Sequence, residues 1–558
     1  MTLPGGRFTI TFNGEITNYV EIKTELVALG ETFASGTDTE VLLKAWARWG
    51  KDTLERLEGM YAFAILDTQE RTVTLVRDPF GIKPLFYTHS ADRLSFCSEL
   101  SGLLEIDPGL RRLDWQTAVD YLQWGTYDRS ERTFLEGVRQ LKPGHYLVVD
   151  ADSGRASEPT AFWHPNVREA FTGTYEEASE IVRGLFVDSV KRNLRSDVAL
   201  GIALSGGIDS SAIVGAVRHL EPDLPITTFS FVAPGFARSE HEWVKLVADH
   251  AKAISHSVVA EPGDLSRDLD ELIISQGEPF ASTSIYAQFR VFKLARDHDV
   301  RVTLDGQGGD EVFAGYSGFP AQRMHSLIER GRLRQASTFA RNWASWPDRD
   351  MTPMLMETAA QFLPRRARGR VLRSGSSPLL DTSRLKERGV RLYPEVVQTG
   401  ALRGRRVVSQ LRSALTSQGL PALLRHADRN SMHFSIESRV PFLDRALAEF
   451  TLALPEDWLV GNDGSSKRIL RDAMRGMVPD QVLQRRDKVG FETPEREWEE
   501  RLANEDVDRD HPIGFLKPGR ENTVTGGYTE SELNWAGRSH WRLINLRRWV
   551  ALMGVDAR

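Results

Sequence analysis

Two stretches of this chain combine residue types that could act on a charged ligand. In Ser205-Gly206-Gly207-Ile208-Asp209-Ser210-Ser211, hydroxyls and a carboxylate surround a pair of glycines. This stretch follows the apolar run Val198 to Leu204, which reads as a buried strand. It opens a segment from Asp209 to His219 with Ile213, Val214 and Val217 on one face, which reads as an amphipathic helix. A strand, a glycine turn and a helix start aim free backbone N–H groups at one spot, where the helix dipole favours an anion. The glycines would let backbone approach a ligand, and Ser205, Ser210 and Ser211 add hydroxyl donors. No Walker-type G-x-x-x-x-G-K motif occurs, so a phosphate is expected here without a P-loop NTPase.

The second stretch is Asp305-Gly306-Gln307-Gly308-Gly309-Asp310-Glu311, again after an apolar run, Val302 to Leu304. Carboxylates beside a phosphate repel it unless a cation lies between them. Mg²⁺ suits that place because it takes carboxylate and phosphate oxygens together.

The elements that must position these loops alternate. Strands read at 198–204, 226–232, 255–259 and 300–304, with helices at 209–220, 239–253, 264–275 and 284–298. That order predicts a doubly wound parallel α/β sheet with ligands at the carboxyl ends of its strands. Residues 320–420 read as helical additions with a solvated, Arg-rich surface between Arg365 and Arg412. Before the sheet, a polar junction spans residues 150–175. Ahead of it, a strand runs from Arg7 into a turn at Asn13-Gly14, helices read at 18–29 and 38–49, and further strands at 60–67, 72–77 and 94–97.

The chain has 558 residues, 41% of them hydrophobic, which is enough for several cores. A net charge of −6 provides no global field for nucleic acid. One cysteine excludes a disulfide framework and a Cys-based zinc site. No charged-then-apolar leader and no apolar run near 18 residues is present, which predicts a soluble, cytoplasmic protein.

The Ser-Gly-Gly-x-Asp-Ser-Ser loop resembles the pyrophosphate loop of ATP-pyrophosphatases. Phe12-Asn13-Gly14-Glu15, Gly36-Thr-Asp38-Thr-Glu40, Arg77-Asp78-Pro-Phe-Gly81-Ile-Lys83-Pro84 and Ser98-Glu99-Leu100 follow one another as in the glutaminase domain of glutamine-dependent asparagine synthetases. His426-Ala-Asp428-Arg429 through Asp444, Ser466-Lys467-Arg468 and Arg486-Asp-Lys488-Val-Gly490-Phe491 extend that resemblance almost to the end of the chain. The resemblance implies an α+β N-terminal-nucleophile hydrolase αββα sandwich over 1–155, incomplete here, a linker over 156–175, and an α/β synthetase domain over 176–558. It implies ATP and Mg²⁺ as cofactors, ATP contacts from Leu204, Ser205, Gly206, Gly207, Asp209, Ser210 and Gly306, and Mg²⁺ held by Asp209 and Asp310. Lys467, Gln307 and Glu311 would be catalytic, Lys467 facing the α-phosphate and the departing pyrophosphate. Asn13, Gly14, Glu15 and Asp38 would bind glutamine. Arg429, Glu437 and Arg439 would either orient the acceptor or pair with one another, and the segment Arg77 to Leu85 would lie at the domain junction.

Two departures stand out. The family opens with Met-Cys-Gly, whereas this chain begins a few residues before Asn13. Cys97 has no free amine and reads as a core cysteine, so ammonia rather than glutamine is the expected donor for the chain as written. A start codon misplaced to an internal Met, or a pseudo-glutaminase domain, would account for this. Gln307 stands where many asparagine synthetases carry Glu, and it cannot take a proton from ammonium. This Gln-bearing version, with Gln276 through Tyr286 upstream, looks like relatives in polysaccharide or natural-product pathways. The expected reaction is adenylation of a carboxylate, most simply aspartate, followed by attack of ammonia, with release of AMP and pyrophosphate. Amidation or cyclisation of another carboxylate, and a catalytically silent scaffold, are the alternatives. The expected partners are small molecules, with no nucleic acid and no membrane, and a homodimer is the assembly to test.

Overall fold

The fold is taken from a computed structural model. It describes all residues except 91–92, 168–170, 233–239, 260, 262, 348, 364–378, 393–401, 488–492, 494, 496–497, 499–501, 503–511 and 518–529, with 530–540 as backbone only.

Strand β1 (Phe8–Ile16) is followed by helices α1 (Tyr19–Ala28) and α2 (Asp38–Trp49). Thr37 caps α2 by accepting the Glu40 N–H, so the helix starts at Asp38. Then come β2 (Gly59–Asp67), β3 (Thr72–Arg77), β4 (Phe86–His89), β5 (Leu94–Cys97), α3 (Leu100–Ile106), α4 (Trp115–Trp124), β6 (Arg139–Gln140), β7 (His145–Asp150) and β8 (Thr160–Ala161). They form an antiparallel sheet of order β1-β2-β3-β7-β8 and a smaller one of order β5-β4-β6. Period-two alternation builds the layers. Along β2, Tyr61, Phe63 and Ile65 face α1 and α2, while Ala62 and Ala64 meet Leu85 and Tyr87 of the second sheet. The other face of the second sheet, through Phe86, packs on α3 and α4. The order is helices, sheet, sheet, helices. The turn expected at Asn13-Gly14 is absent. The ladder runs through both residues, Asn13 opposite Ala62 and Gly14 opposite Tyr61. At Gly14, φ is +150° and a Cβ would lie 2.1 Å from the Met60 carbonyl oxygen, so only glycine lets the strands close here.

The second unit begins with α5 (Tyr175–Asn193), which opens with a capping box between Thr174 and Glu177. It continues β9 (Leu200–Ala203), α6 (Ile208–Leu220), β10 (Thr227–Val232), α7 (His241–Ala251), β11 (Ile254–Val259), α8 (Asp264–Gln276), α9 (Ser284–Asp297), β12 (Val302–Leu304) and α10 (Gly309–Phe313). With β13 (Glu437–Arg439) the strands form a parallel sheet of order β11-β10-β9-β12-β13. Helices α5, α6 and α7 cover one face and α9 the other. The doubly wound expectation therefore holds. Helix α6 is not amphipathic as expected. Residues Ser210 to Val217 are all buried, because α6 is enclosed by the sheet, α5 and the backbone at Met477.

The helical additions also differ from the expected solvated surface. Helices α11 (Phe319–Glu329) and α12 (Leu333–Ala344) and the helix Arg406–Thr416 contribute Leu327, Phe339, Val407 and Leu411 to the main core. Arg323 is buried against Glu456, and Arg406 pairs with Glu329. Arg365 to Arg373 lie outside the described residues. At the chain end, Trp541, Ile544 and Trp549 pack with residues of α4 and α8.

Candidate active site

Strands β9 and β12 are neighbours, but the sheet is extended from them in opposite directions. The loops leaving their carboxyl ends diverge, which is the switch-point geometry that leaves a ligand crevice. A cavity of about 720 Å³ opens there. Ser205, Gly207, Asp209 and Ser210 line one side; Asp305, Gly306, Gln307 and Asp310 line the other; Lys467 and Glu311 also reach it.

Lys467 ties the two loops together. It precedes the helix Arg468–Ala473 in a left-handed conformation, φ 54° and ψ 33°, which turns its side chain into the cavity. Its Nζ lies 2.5 Å from Asp209 Oδ2 and 2.7 Å from Asp310 Oδ1. Burial works against the ammonium, yet Asp209 and Asp310 together hold its pKa above the usual lysine value. Behind Asp310, Glu311 accepts the Tyr316 hydroxyl at 2.5 Å. Burial, and then the Asp310 charge, push the Glu311 carboxyl up to about 7. Asp305 rises to about 6 through burial, although it accepts the Gln307 N–H at 3.1 Å. The Gln307 amide oxygen is buried, and no donor among the described residues reaches it.

The phosphate loop is built differently from the sequence expectation in three respects. The Ser205 N–H donates to Ser210 Oγ at 3.2 Å and the Gly207 N–H to Ser205 Oγ at 3.3 Å, so serine hydroxyls occupy donors expected to be free. The donors left to a ligand are the first N–H groups of α6, which have no intrahelical acceptor. Gly206 serves the protein rather than a ligand. Its φ is +72°, a Cβ would meet Trp243 Cβ at 2.5 Å, and neither it nor Leu204 lines the cavity. Ser211 is buried inside α6.

Asn13, Gly14, Glu15 and Asp38 do not border this cavity. Asn13 Nδ2 donates to Ser98 Oγ at 3.0 Å, and Asp38 Oδ2 accepts the Ile16 N–H at 3.0 Å. Glu15 lies 3.7 Å from Arg439. Its carboxyl is raised to about 7, by burial first, against the pull of Arg439 and with the help of Asp38, Glu437 and Asp197. Arg439 also pairs with Glu437 of its own strand at 2.6 Å, and Arg429 pairs with Glu99 at 3.3 Å, so through Glu15 and Glu99 these arginines join the two units. The segment Arg77 to Leu85 sits at the same junction. Phe80 and Ile82 enter the main core of the second unit, and Lys83 makes a buried ion pair with Asp428 at 3.0 Å. Cys97 ends β5 half-buried rather than lying mid-strand in the core, with its sulfur against Gly102. Lys488, Gly490 and Phe491 lie outside the described residues.

Sequence reasoning gave no site role to Arg349, Arg485 or His426, which also line the cavity. Arg485 donates to the Gly206 carbonyl. The spacing Trp343-x-x-Trp346-x-x-Arg349 carried the available signal for Arg349.

The family model described as asparagine synthase matches residues 181–549, and that of a glutamine amidotransferase domain matches residues 1–163. The chain belongs to the asparagine synthase family. It is 30% identical over 524 residues to asparagine synthetase (glutamine-hydrolyzing) 1 of Bacillus subtilis, covering 89% of this chain and 78% of that protein. To asparagine synthetase (glutamine-hydrolyzing) 3 of the same organism it is 29% identical over 508 residues, 87% and 75% of the two chains. It is also 24% identical over 591 residues to amidase chry2 of Gibberella zeae, 97% and 85% of the two chains. This asparagine synthase family member is a carbon–nitrogen ligase by family. Among its described residues no helix is long and apolar enough to cross a membrane.

Proposed function

We propose that this family member forms an amide on a carboxylic acid at the expense of ATP, releasing AMP and pyrophosphate, with aspartate as the acceptor. The observation that carries the reading is the Lys467 ammonium held between Asp209 and Asp310 beside the start of α6. Two carboxylates and a lysine meet there at the mouth of an anion-favouring helix.

The donor set fits Mg²⁺ of the kind that arrives with a nucleotide. Asp209 and Asp310 face one cavity, and among the described residues no group of three or more His, Cys, Asp or Glu side chains could cage a metal. A Mg²⁺ that keeps waters and phosphate oxygens needs only one or two protein carboxylates. When bound, it would neutralise charge on the phosphates. Lys467 would steady the α-phosphate and the charge that develops on the leaving pyrophosphate. Ser205, Ser210 and the N–H groups of α6 would fix the terminal phosphates, and Gly306 would leave room for the adenylate. An acceptor carboxylate oxygen then bonds to the α-phosphorus as the bond to pyrophosphate breaks. Ammonia bonds to the activated carbonyl carbon, AMP leaves, and one proton is lost.

The unpartnered amide oxygen of Gln307 would accept an ammonia N–H, while Glu311 would hold the Tyr316 hydroxyl beside the cleft. Gln307 accepts a hydrogen bond but not a proton, so the nucleophile must arrive as neutral ammonia. The first unit is read as a glutaminase-type domain of the N-terminal-nucleophile hydrolase class, with Asn13, Gly14, Glu15 and Asp38 as its glutamine corner. The order of its layers supports that reading. Cys97 is packed against Gly102 and is not placed to serve that domain as its nucleophile, so ammonium and glutamine are both donors to be tested. Gln307 also favours a second acceptor class, a carboxylate other than aspartate.

Pyrophosphate release from ATP, measured across a panel of acids with ammonium or with glutamine, tests the proposal. Release with aspartate and ammonium is the expected result. Release only with another acid selects the second acceptor, and none with any acid overturns the reading.

A further inference from the structure

The cations around the cleft are not equivalent. Lys467 is neutralised by Asp209 and Asp310, and Arg485 by Asp487 at 2.9 Å and Glu240 at 3.4 Å. Arg349 and Arg471 line the same cavity. Among the described residues no carboxylate comes within ion-pairing distance of either. Both are held instead by neutral groups. The Arg349 guanidinium lies 3.6 Å from the Trp343 ring centroid and 4.3 Å from that of Trp346, and its Nη1 donates to the Gly464 carbonyl at 2.6 Å. Arg471 donates to the carbonyls of Ser466, Leu483 and Arg485 at 2.9, 2.7 and 3.0 Å. Carbonyl oxygens and indole faces orient a guanidinium without cancelling its charge. Arg349 is lowered to about 10, by burial first and then by Arg471, against the pull of Asp463, and burial lowers Arg471 against Asp209, Asp463 and Asp472.

Two part-buried guanidiniums that line one cavity, with no carboxylate among the described residues in ion-pair contact, are unfavourable there unless an anion joins them. We infer that Arg349 and Arg471 form the seat for the departing pyrophosphate, that is, for the β- and γ-phosphates of the bound nucleotide. The inference rests on the nucleotide reading of the cleft and adds a wall from the helical additions, between α12 and α13 (Met351–Phe362). Pyrophosphate suits the place better than the acceptor carboxylate. Two guanidiniums beside a helix start match several negative charges, and the planar fork pairs with phosphate oxygens two at a time. The Trp343 and Trp346 stack fixes the Arg349 plane before ligand arrives, which reduces the ordering that binding requires.

Calorimetric titration of the full chain with magnesium pyrophosphate and, separately, with AMP tests this in wild type, Arg349→Gln and Arg349→Lys. Arg349→Gln is expected to weaken pyrophosphate at least tenfold and leave AMP within twofold, with Arg349→Lys between the two for pyrophosphate. Unchanged pyrophosphate affinity in Arg349→Gln overturns the inference, as does an effect confined to the KM of the acceptor acid. If Arg349→Gln loses both ligands, Arg349→Lys is decisive: weaker pyrophosphate than AMP binding supports the seat, and equal losses overturn it. A wild type that binds neither ligand removes the nucleotide reading and the seat together, whereas a binding wild type with an indifferent Arg349→Gln removes the seat alone.

Discussion

The two motif-bearing regions of this molecule use their charges in opposite ways. In the cleft between β9 and β12, Asp209, Asp310 and Lys467 come from three separate segments and meet in ion-pair contact on the wall of one cavity. In the first unit, Asn13, Glu15 and Asp38 are bound to their own surroundings: a serine hydroxyl, an arginine of the other unit and the Ile16 N–H. Two carboxylates share one ammonium in the cleft, so the cluster keeps a net negative charge on a cavity wall, which a cation arriving with a ligand offsets. The groups of the first unit each meet a partner of their own and do not line that cavity. The cleft is therefore the candidate for chemistry on a bound nucleotide, and the corner around Asn13 stands apart from it.

The sharpest way to break this contrast is Lys467→Ala. It should lower ATP-dependent pyrophosphate release by about a thousandfold, the scale of losing one preorganised charge at a developing anion. It also leaves Asp209 beside Asp310, so added Mg²⁺ should raise the thermal midpoint of the variant more than that of wild type. A variant within tenfold of wild-type activity would dissolve the special status of the cleft.

An intermediate effect is expected at Glu311. Its pKa is raised from 4.5 to about 7, so the folded state holds this proton more tightly than the unfolded chain. The stabilisation from holding it is complete below pH 4.5 and is lost as pH rises through about 7. Glu311→Gln retains an acceptor for the Tyr316 hydroxyl and removes the buried charge. Thermal melts should show Glu311→Gln gaining on wild type at pH 8, by on the order of 2 kcal/mol, with the gap closing at pH 5. A gap independent of pH would mean that the carboxyl does not titrate in this range.

The smallest effect belongs to the first unit. Asn13→Ala should leave ammonia-dependent pyrophosphate release within twofold, because Asn13 does not border the cleft. A tenfold loss in that assay would show that the two regions are coupled more closely than their separation suggests.

Much of the framework was legible in the linear chain because it depends on local periodicity and local turn chemistry. Runs of apolar residues followed by glycine loops marked β9 and β12, and Asp38 with Glu40 marked the start of α2, whose cap is Thr37. Two local readings failed where neighbours outvoted the local signal. Asn13-Gly14 reads as a turn, but the register with β2 carries the strand through it. Helix α6 shows an apolar face, but packing on every side buries its polar positions too. The site was legible in part. Asp209, Asp310 and Lys467 could be named from their motifs, whereas the partner each would meet could not.

The sequence by itself determined the alternation of strands and helices, the two glycine-rich loops and the motifs that lead to the asparagine synthase family, all of which lie in short contiguous stretches. Tertiary structure alone decided that Lys467 closes on both aspartates, that Arg349 enters the cleft from the helical additions, and that Lys83 is locked to Asp428 across the junction. The contacts of Lys467 with Asp310 and Asp209 and of Lys83 with Asp428 join residues 157, 258 and 345 positions apart. Side-chain type and spacing say what a residue can do, and only the packing of distant segments sets which charge stands opposite it.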